Sequence, residues 1–210
     1  MKRILIIADR ELVLDGVKKI LDAEPGAVTF EEATTDSKAL LLVREQEWDL
    51  AVLDLALGGP VGLGVLKELK QIRPRFPVLM LSRHSHEQFA RRALQAGAAG
   101  YVTEDSPRTE LLKAVNAVLE GRRYVSFPLN EMLGAGLEKS ADRPLHEALS
   151  DREFEVLCGI GLGKTVSEIA KALSLSDKTV STYRARVLKK MAMKNNAELM
   201  HYVVQNKLAD

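Results

Sequence analysis

Strand-like and helix-like segments alternate five times in the first 120 residues, and this alternation constrains the fold more than any other feature of the chain. Each short apolar run, typical of a strand buried on both faces, is followed by a segment with apolar residues at helical spacing. Five consecutive strand–helix units predict an α/β domain with a doubly wound, five-stranded parallel sheet and helices on both faces. The predicted strands are Ile4–Ala8, Val28–Ala33, Leu50–Leu53, Pro77–Leu81 and Tyr101–Val102.

The helices of this domain are predicted from their apolar periodicity and from their boundary residues. Pro25-Gly26, Pro74, Gly97 and Gly121 each close one of them. The predicted helices are Leu12–Leu21, a segment capped by Asp36 or Ser37 and ending near Glu45, Leu63–Ile72, Gln88–Ala96 and Glu110–Leu119.

A second, all-helical domain follows. We expect an α/β domain in residues 1–121, a linker rich in Gly and Pro in 122–148, and a four-helix domain in 149–210. Ser150 and Glu153 have the spacing of a capping box, which predicts a helix start at this point. The predicted helices are Phe154–Ile160, Val166–Leu173, Asp177–Met191 and Ala197–Gln205.

Basic charge is concentrated in the second domain. Residues 150–210 hold ten Lys or Arg and seven Asp or Glu, a net charge of +3, although the whole chain carries only +1. Six basic residues follow one another without an intervening acid: Lys178, Arg184, Arg186, Lys189, Lys190 and Lys194. Such a cluster on a predicted helix is compatible either with a polyanionic partner or with a solvated helix face.

Polar side chains stand at the carboxyl ends of the predicted strands. Asp9, Asp54 and Glu104 follow the first, third and fifth strands, and Ser82 follows the fourth. Carboxylates that converge at one sheet edge suit Mg²⁺, and an Asp beside such a metal can act as nucleophile toward a phosphoryl donor. A metal-dependent phosphohydrolase would need a second catalytic group near these acids, and the sequence offers none.

The motifs of both domains resemble those of the NarL/FixJ family of response regulators. Residues 1–120 resemble a receiver domain, with a flavodoxin-like fold, and residues 150–205 resemble a LuxR-type helix-turn-helix. The receiver motifs are Ile6-Ile7-Ala8-Asp9, Asp54-Leu55-Ala56-Leu57, Met80-Leu81-Ser82 and Gly97-Ala98-Ala99-Gly100-Tyr101-Val102. The resemblance implies that Asp54 is the phosphoacceptor, that Asp9, Asp54 and Ala56 bind Mg²⁺, and that Ser82, Tyr101 and Glu104 occupy the switch positions.

Two positions depart from the receiver pattern. Ala8 stands where the family has the first of two acids, and Glu104 replaces the lysine that normally pairs with the acceptor and then with the phosphoryl group. Near-contact charges interact by about 3–4 kcal/mol at an effective dielectric constant of about 20, so this reversal of sign should impair phosphorylation. We expect Glu104 to lie within ion-pair reach of Arg83 or Arg10.

The second domain follows the family more closely. Its motifs are Leu149-Ser150-Asp151-Arg152-Glu153, Val166-Ser167-Glu168-Ile169-Ala170 and Leu175-Ser176-Asp177-Lys178-Thr179-Val180-Ser181-Thr182-Tyr183. Ser176 should cap the recognition helix, whose first turn then faces phosphate. The expected DNA-binding residues are Lys178, Thr179, Ser181, Thr182, Arg184, Ala185 and Arg186.

These observations predict a sequence-specific, DNA-binding transcription regulator rather than an enzyme, with its receiver controlling dimerisation and DNA affinity. Expected partners are double-stranded DNA, a second copy of the chain and a sensor histidine kinase. The last helix, with Met200, Val203 and Val204 facing outward, is the expected pairing surface. One cysteine and no long apolar segment predict a cytoplasmic protein without a membrane partner. The alternative is an atypical receiver that sequesters a partner protein and contacts DNA little.

Overall fold

The structure, a computed structural model, describes residues 2–22, 28–57, 63–83, 87–126 and 144–208. These fall into two compact units, the first holding the described residues up to Ser126 and the second those from Pro144 onward. Most of the predicted linker, residues 127–143, lies outside the described residues. Within the described part of the chain, no helix combines the length and apolar character needed to cross a membrane.

The first unit is built on a parallel sheet with the order β2-β1-β3-β4-β5-β6. Its strands are β1 (Lys2–Ile7), β2 (Val28–Ala33), β3 (Leu50–Asp54), β4 (Val78–Ser82), β5 (Gly100–Thr103) and β6 (Tyr124–Val125). Every residue of β3, β4 and β5 is buried, as expected of strands covered on both faces. The predicted doubly wound α/β fold is confirmed.

Among the described residues, five helices cover the sheet: α1 (Glu11–Leu21), α2 (Asp36–Glu45), α3 (Leu63–Ile72), α4 (Glu87–Gln95) and α5 (Arg108–Leu119). Helix α1 contacts α5, whereas α3 contacts both α2 and α4, which gives two separate helical layers. The predicted cap of α2 was wrong by one or two residues. Thr35, in extended conformation, caps this helix by accepting a hydrogen bond from the backbone N–H of Lys38.

A sixth strand is the main difference from the predicted five-stranded sheet. Strand β6 lies in the segment assigned to the linker and pairs with β5, with Gly100 opposite Tyr124. A Cβ atom at Gly100 would lie 2.7 Å from the carbonyl oxygen of Tyr124, so the edge pairing depends on a residue without a side chain. A two-residue strand has no periodicity of its own and is defined by its partner, which explains why the sequence did not predict it.

The second unit contains the four predicted helices and a short 3₁₀ helix, Leu145–Ala148. The helices are α6 (Asp151–Gly161), α7 (Val166–Ala172), α8 (Asp177–Lys190) and α9 (Asn196–Gln205). The predicted capping box is present, with Ser150 and Glu153 each accepting the other's backbone N–H. Ile169 and Ala170 of α7 are buried, as are Val180 and Val187 of α8, so these side chains face the core of the unit.

The prediction that Val203 faces outward was wrong. Val203 is fully buried in α9, whereas Met200 is 39 % and Val204 is 64 % exposed. Val203 packs against Gly161, where an added Cβ would come within 2.2 Å of the valine Cγ1. The missing side chain of Gly161 therefore lets α6 and α9 approach closely, and it determines which of the two adjacent valines enters the core.

Candidate functional site

The predicted phosphoacceptor stands where the strand order reverses, at the carboxyl ends of β1 and β3. Asp54 is the last residue of β3, and its side chain is only 1 % exposed. Asp9, two residues beyond the end of β1, is exposed. In open α/β sheets, ligand sites collect at this reversal point, so the fold places both acids at the expected edge.

Arg10 connects this acceptor to the end of β5. Its Nη2 nitrogen donates to Oδ2 of Asp54 at 3.0 Å and also to Oε1 of Glu104. The other acceptor oxygen, Oδ1 of Asp54, receives the backbone N–H of Ala56 at 2.9 Å. Both oxygens of the buried carboxylate are therefore engaged, and one nitrogen bridges two acids from different strand ends.

Local structure holds both ends of this bridge. Arg10 is the extended N-cap residue of α1, and its carbonyl oxygen accepts the backbone N–H groups of Val13 and Leu14. On the other side, the backbone N–H of Glu104 donates to the carbonyl oxygen of Ser82 at 2.7 Å. The arginine side chain makes no capping hydrogen bond of its own, so its guanidinium is free to turn toward the sheet edge.

The guanidinium remains charged at any working pH. Burial disfavours its charge, but the hydrogen bonds to Glu104 and Asp54 outweigh burial, and the pKa of Arg10 is raised above its ordinary value. Its Nε atom is buried and makes no hydrogen bond within the described part of the chain. The Arg10 side chain is therefore held by its contacts with Asp54 and Glu104, although its Nε donor remains without a hydrogen bond among the described residues.

The expected ion pair of Glu104 is confirmed, and its partner is Arg10 rather than Arg83. Arg83, next to the end of β4, has an exposed side chain. The contact between Arg10 and Asp54 was not expected from the sequence. Pairs separated by 44 and 94 positions along the chain carry no local signal, so only the fold brings these three residues together.

The residues at this edge do not fit a magnesium ion in the arrangement that the structure shows. Of the ligands implied by the resemblance, Asp54 has one oxygen bound to Arg10 and the other to the backbone N–H of Ala56. Among the described residues, no group of three or more His, Cys, Asp or Glu side chains is placed to hold a metal. A fixed guanidinium at the acceptor also repels a second cation.

Two of the three predicted switch residues, Ser82 and Tyr101, lie next to each other. Ser82 and Tyr101 are both fully buried, and their side chains are hydrogen-bonded. Burial raises the pKa of the Tyr101 phenol far above its ordinary value, and the hydrogen bond from Ser82 offsets only part of this effect. The phenol is therefore neutral, and the aromatic side chain occupies an inward position beside the hydroxyl group.

In the second unit, α8 presents the predicted DNA-binding surface. Ser176 caps this helix by accepting the backbone N–H of Thr179 at 3.1 Å, as predicted. The exposed residues on the predicted surface are Lys178, Ser181, Thr182, Ala185 and Arg186. The guanidinium of Arg186 lies 5.9 Å from the ring centroid of Tyr183, which orients it along the helix.

Two of the predicted DNA-binding residues hydrogen-bond to other side chains of the unit. Arg184 is half-buried and donates from Nε to the side-chain oxygen of Asn196 at the start of α9. The hydroxyl group of Thr179 lies 2.8 Å from that of Ser176, within the cap. These contacts orient the ends of α8 and α9, and they leave Lys178 and Arg186 as the basic side chains most open to phosphate.

Lys190, one of the six clustered basic residues, serves the core of the unit. Its ammonium group donates to Glu153 at 2.6 Å, although that glutamate is almost fully buried. Burial alone would favour the neutral acid, but the hydrogen bonds from Lys190 and Ser150 prevail and lower the pKa of Glu153. The pair ties the start of α6 to the end of α8.

This lowered pKa predicts an acid-sensitive second unit. A group whose pKa is depressed by folding stabilises the folded state above its ordinary pKa of 4.5, and this contribution is lost as the pH falls through the lower, folded value. Denaturant unfolding followed by circular dichroism should show the stability of this unit falling below about pH 4.5. In Glu153→Gln, stability at pH 7 should be lower and the acid dependence flatter. Identical pH profiles for the two proteins would contradict the assignment.

Comparison with known proteins gives a consistent result for both units. Residues 4–116 match the family described as Response regulator receiver domain, and residues 147–203 match Bacterial regulatory proteins, luxR family. A putative transcriptional regulator of Pseudomonas aeruginosa is 35 % identical over 99 % of this chain and 100 % of its own length. The response regulator GacA of Pseudomonas protegens is 31 % identical, over 100 % of this chain and 99 % of its own.

A solved structure shows the same fold over nearly the whole chain. RcsB of Salmonella enterica serovar Typhimurium, bound to promoter DNA in the presence of BeF₃⁻, matches with a TM-score of 0.73. The match covers 97 % of this chain and 98 % of RcsB at 23 % identity.

Proposed function

This chain belongs to the NarL/FixJ family of response regulators, and we propose that it is a transcription regulator that binds specific DNA sites through α8. In this proposal, residues 1–121 are the receiver, 122–148 the linker and 149–210 the DNA-reading domain. The receiver controls dimerisation and so DNA affinity. Residues 4–116 and 147–203, which match the two family descriptions, lie close to these bounds.

The exposed, capped start of α8 is the observation that carries this proposal. The N-termini of helices, where backbone N–H groups lack helical partners, attract phosphate. Ser176 caps the N-terminus of α8 and fixes its first turn. Lys178 and Arg186 are exposed near this surface, and the short side chains of Ser181, Thr182 and Ala185 leave room for the helix to enter a major groove. The hydroxyl group of Thr182 donates to the carbonyl oxygen of Lys178, so its readout of bases requires that bond to open.

DNA binding should therefore depend on salt through these two basic residues. Lys178→Ala or Arg186→Ala should weaken binding and flatten the slope of log K against log salt by about one unit each, as expected for one lost phosphate contact. Gel shifts or fluorescence anisotropy at several salt concentrations measure this slope. Arg44→Ala, which removes the same charge from the exposed side of α2, serves as the control and should leave the slope unchanged. Slopes equal to wild type in both α8 variants would remove these residues from the interface.

A single recognition helix reads few base pairs, so we propose that the chain binds inverted half-sites as a homodimer. The exposed apolar side chains of α9 support this: Met200 and Val204 are available for pairing, while Val203 is not. A sensor histidine kinase is the proposed partner of the receiver, and a cytoplasmic location follows from contact with DNA and kinase.

We propose further that phosphorylation of Asp54 is impaired or absent. The engaged acceptor and the acid at position 104 support this, because the cation that contacts Asp54, Arg10, is also held by Glu104. The same features are compatible with a receiver that sequesters a partner protein. Salt-dependent, sequence-specific gel shifts would favour the DNA-binding regulator, and their absence would favour the sequestering module.

A further inference from the structure

We propose that the guanidinium of Arg10 is the resident cation of the acceptor site and takes the place of a divalent metal ion there. The observation is geometric: one Nη2 nitrogen contacts both the buried Asp54 and Glu104, from a backbone position that is fixed at the start of α1. This inference concerns the first unit alone and does not depend on DNA binding by the second.

The donor and acceptor pattern of Asp54 supports this assignment. A hard cation binds carboxylate oxygens, and the two oxygens of Asp54 are taken by Arg10 and by the backbone N–H of Ala56. Asp54 is almost completely buried, and the guanidinium of Arg10 lies against one of its two oxygens. The remaining acid of the edge, Asp9, is exposed, and one exposed carboxylate holds a divalent cation weakly.

The same contact accounts for the departure from the receiver pattern at position 104. In the family pattern implied by the sequence, acids follow the first strand and a cation follows the fifth. In this chain the cation, Arg10, follows β1 and the acid, Glu104, follows β5. The acceptor therefore still faces a positive group, but that group comes from the end of β1 and not from the end of β5. With Ala8 in place of an acid, the end of β1 keeps one acid, Asp9, where the family pattern has two.

Glu104 acts here as a positioning residue for Arg10. It accepts from the nitrogen that binds Asp54, and its own backbone is fixed by the carbonyl oxygen of Ser82. A guanidinium held between two carboxylates stays charged, and its covalent attachment to the chain keeps it at the site. A metal ion, in contrast, can dissociate. The chain itself therefore supplies a permanent positive group at the acceptor site.

The test measures binding of Mn²⁺, which has the oxygen-ligand preferences of Mg²⁺, by the electron paramagnetic resonance signal of the free ion. The full chain is used without DNA. Arg10→Ala should bind Mn²⁺ at least tenfold more tightly than wild type, because it exposes Asp54 and Glu104 to the ion. Arg10→Gln should behave in the same way, which protects the test against a folding defect in either variant. Arg10→Lys, which keeps the charge, should remain within about threefold of wild type.

Two further variants serve as controls for the Mn²⁺ binding test. Adding Asp54→Asn to Arg10→Ala should abolish the gain, which locates the ion at the acceptor. Arg44→Ala, with the same change in net charge, should match wild type. Wild-type binding as tight as that of Arg10→Ala, or a gain that survives Asp54→Asn, would overturn the proposal.

Discussion

Acetyl phosphate should label Asp54 at least tenfold more in Glu104→Lys than in wild type, as measured on a Phos-tag gel in the presence of Mg²⁺. In the wild type, Arg10 bridges the acceptor and Glu104. The introduced lysine would attract Asp54 and repel the guanidinium. The substitution therefore restores the lysine of the family pattern and also loosens the bridge that Arg10 makes. Adding Arg10→Ala should increase labelling further, because the acceptor oxygen would then be open.

The DNA affinity of the wild type should change by less than about threefold on acetyl phosphate treatment, or under roughly 0.7 kcal/mol. A modification shifts a conformational equilibrium only by its differential affinity for the two states, and an acceptor already paired with a cation leaves little difference. In Glu104→Lys, DNA affinity should respond to the treatment, and Asp54→Ala in the same background should remove both labelling and response. A tenfold gain in wild-type DNA affinity that vanishes in Asp54→Ala would show that the site works despite Glu104.

The switch pair bears on the same expectation. Ser82 and Tyr101 are buried and hydrogen-bonded in the unphosphorylated chain, so the serine hydroxyl is already engaged before any phosphoryl group arrives. A receiver that rests on one side of its equilibrium would, by the logic of its family, dimerise and bind DNA without phosphate. DNA affinity of the wild type, measured without and with acetyl phosphate, tests this.

The sequence predicted the elements whose signals are local. The buried strands appear as continuous apolar runs, and β2 begins and ends as expected because Val28–Ala33 is bounded by turn residues. The start of α6 was predicted correctly because Ser150 and Glu153 are only three residues apart. The cap of α8 at Ser176 was predicted for the same reason.

What the sequence missed depends on contacts between distant segments. Arg10 was one of two candidates for pairing with Glu104, and the choice depended on how β1, β3 and β5 are ordered in the sheet. Its bond to Asp54 needed the same information. The orientation of Val203 and Val204 could not be decided from helical periodicity alone, because adjacent residues at the edge of an apolar face are nearly equivalent. Contact with Gly161 decides it.

Because of this contact, Gly161→Ala should lower the free energy of unfolding of the second unit by about 2 kcal/mol. The new Cβ would lie 2.2 Å from Cγ1 and 2.7 Å from Cβ of Val203, so α9 itself must move. The higher helix propensity of alanine, about 0.5–1 kcal/mol, offsets only part of this cost. Denaturant unfolding followed by circular dichroism measures the loss, and DNA binding should weaken at elevated temperature.

Two variants separate this steric effect from a general effect of replacing glycine. Gly16 lies within α1, where an added Cβ meets no atom within 4 Å, so Gly16→Ala should leave the first unit as stable or stabilise it by about 0.5–1 kcal/mol. Val203→Ala removes both methyl groups that the new side chain would strike. Combined with Gly161→Ala it should therefore cost less than the sum of the two single substitutions, since the residues are in contact. If Gly161→Ala proves as stable as wild type, or if the two costs simply add, the close packing of α6 on α9 does not limit the stability of this unit.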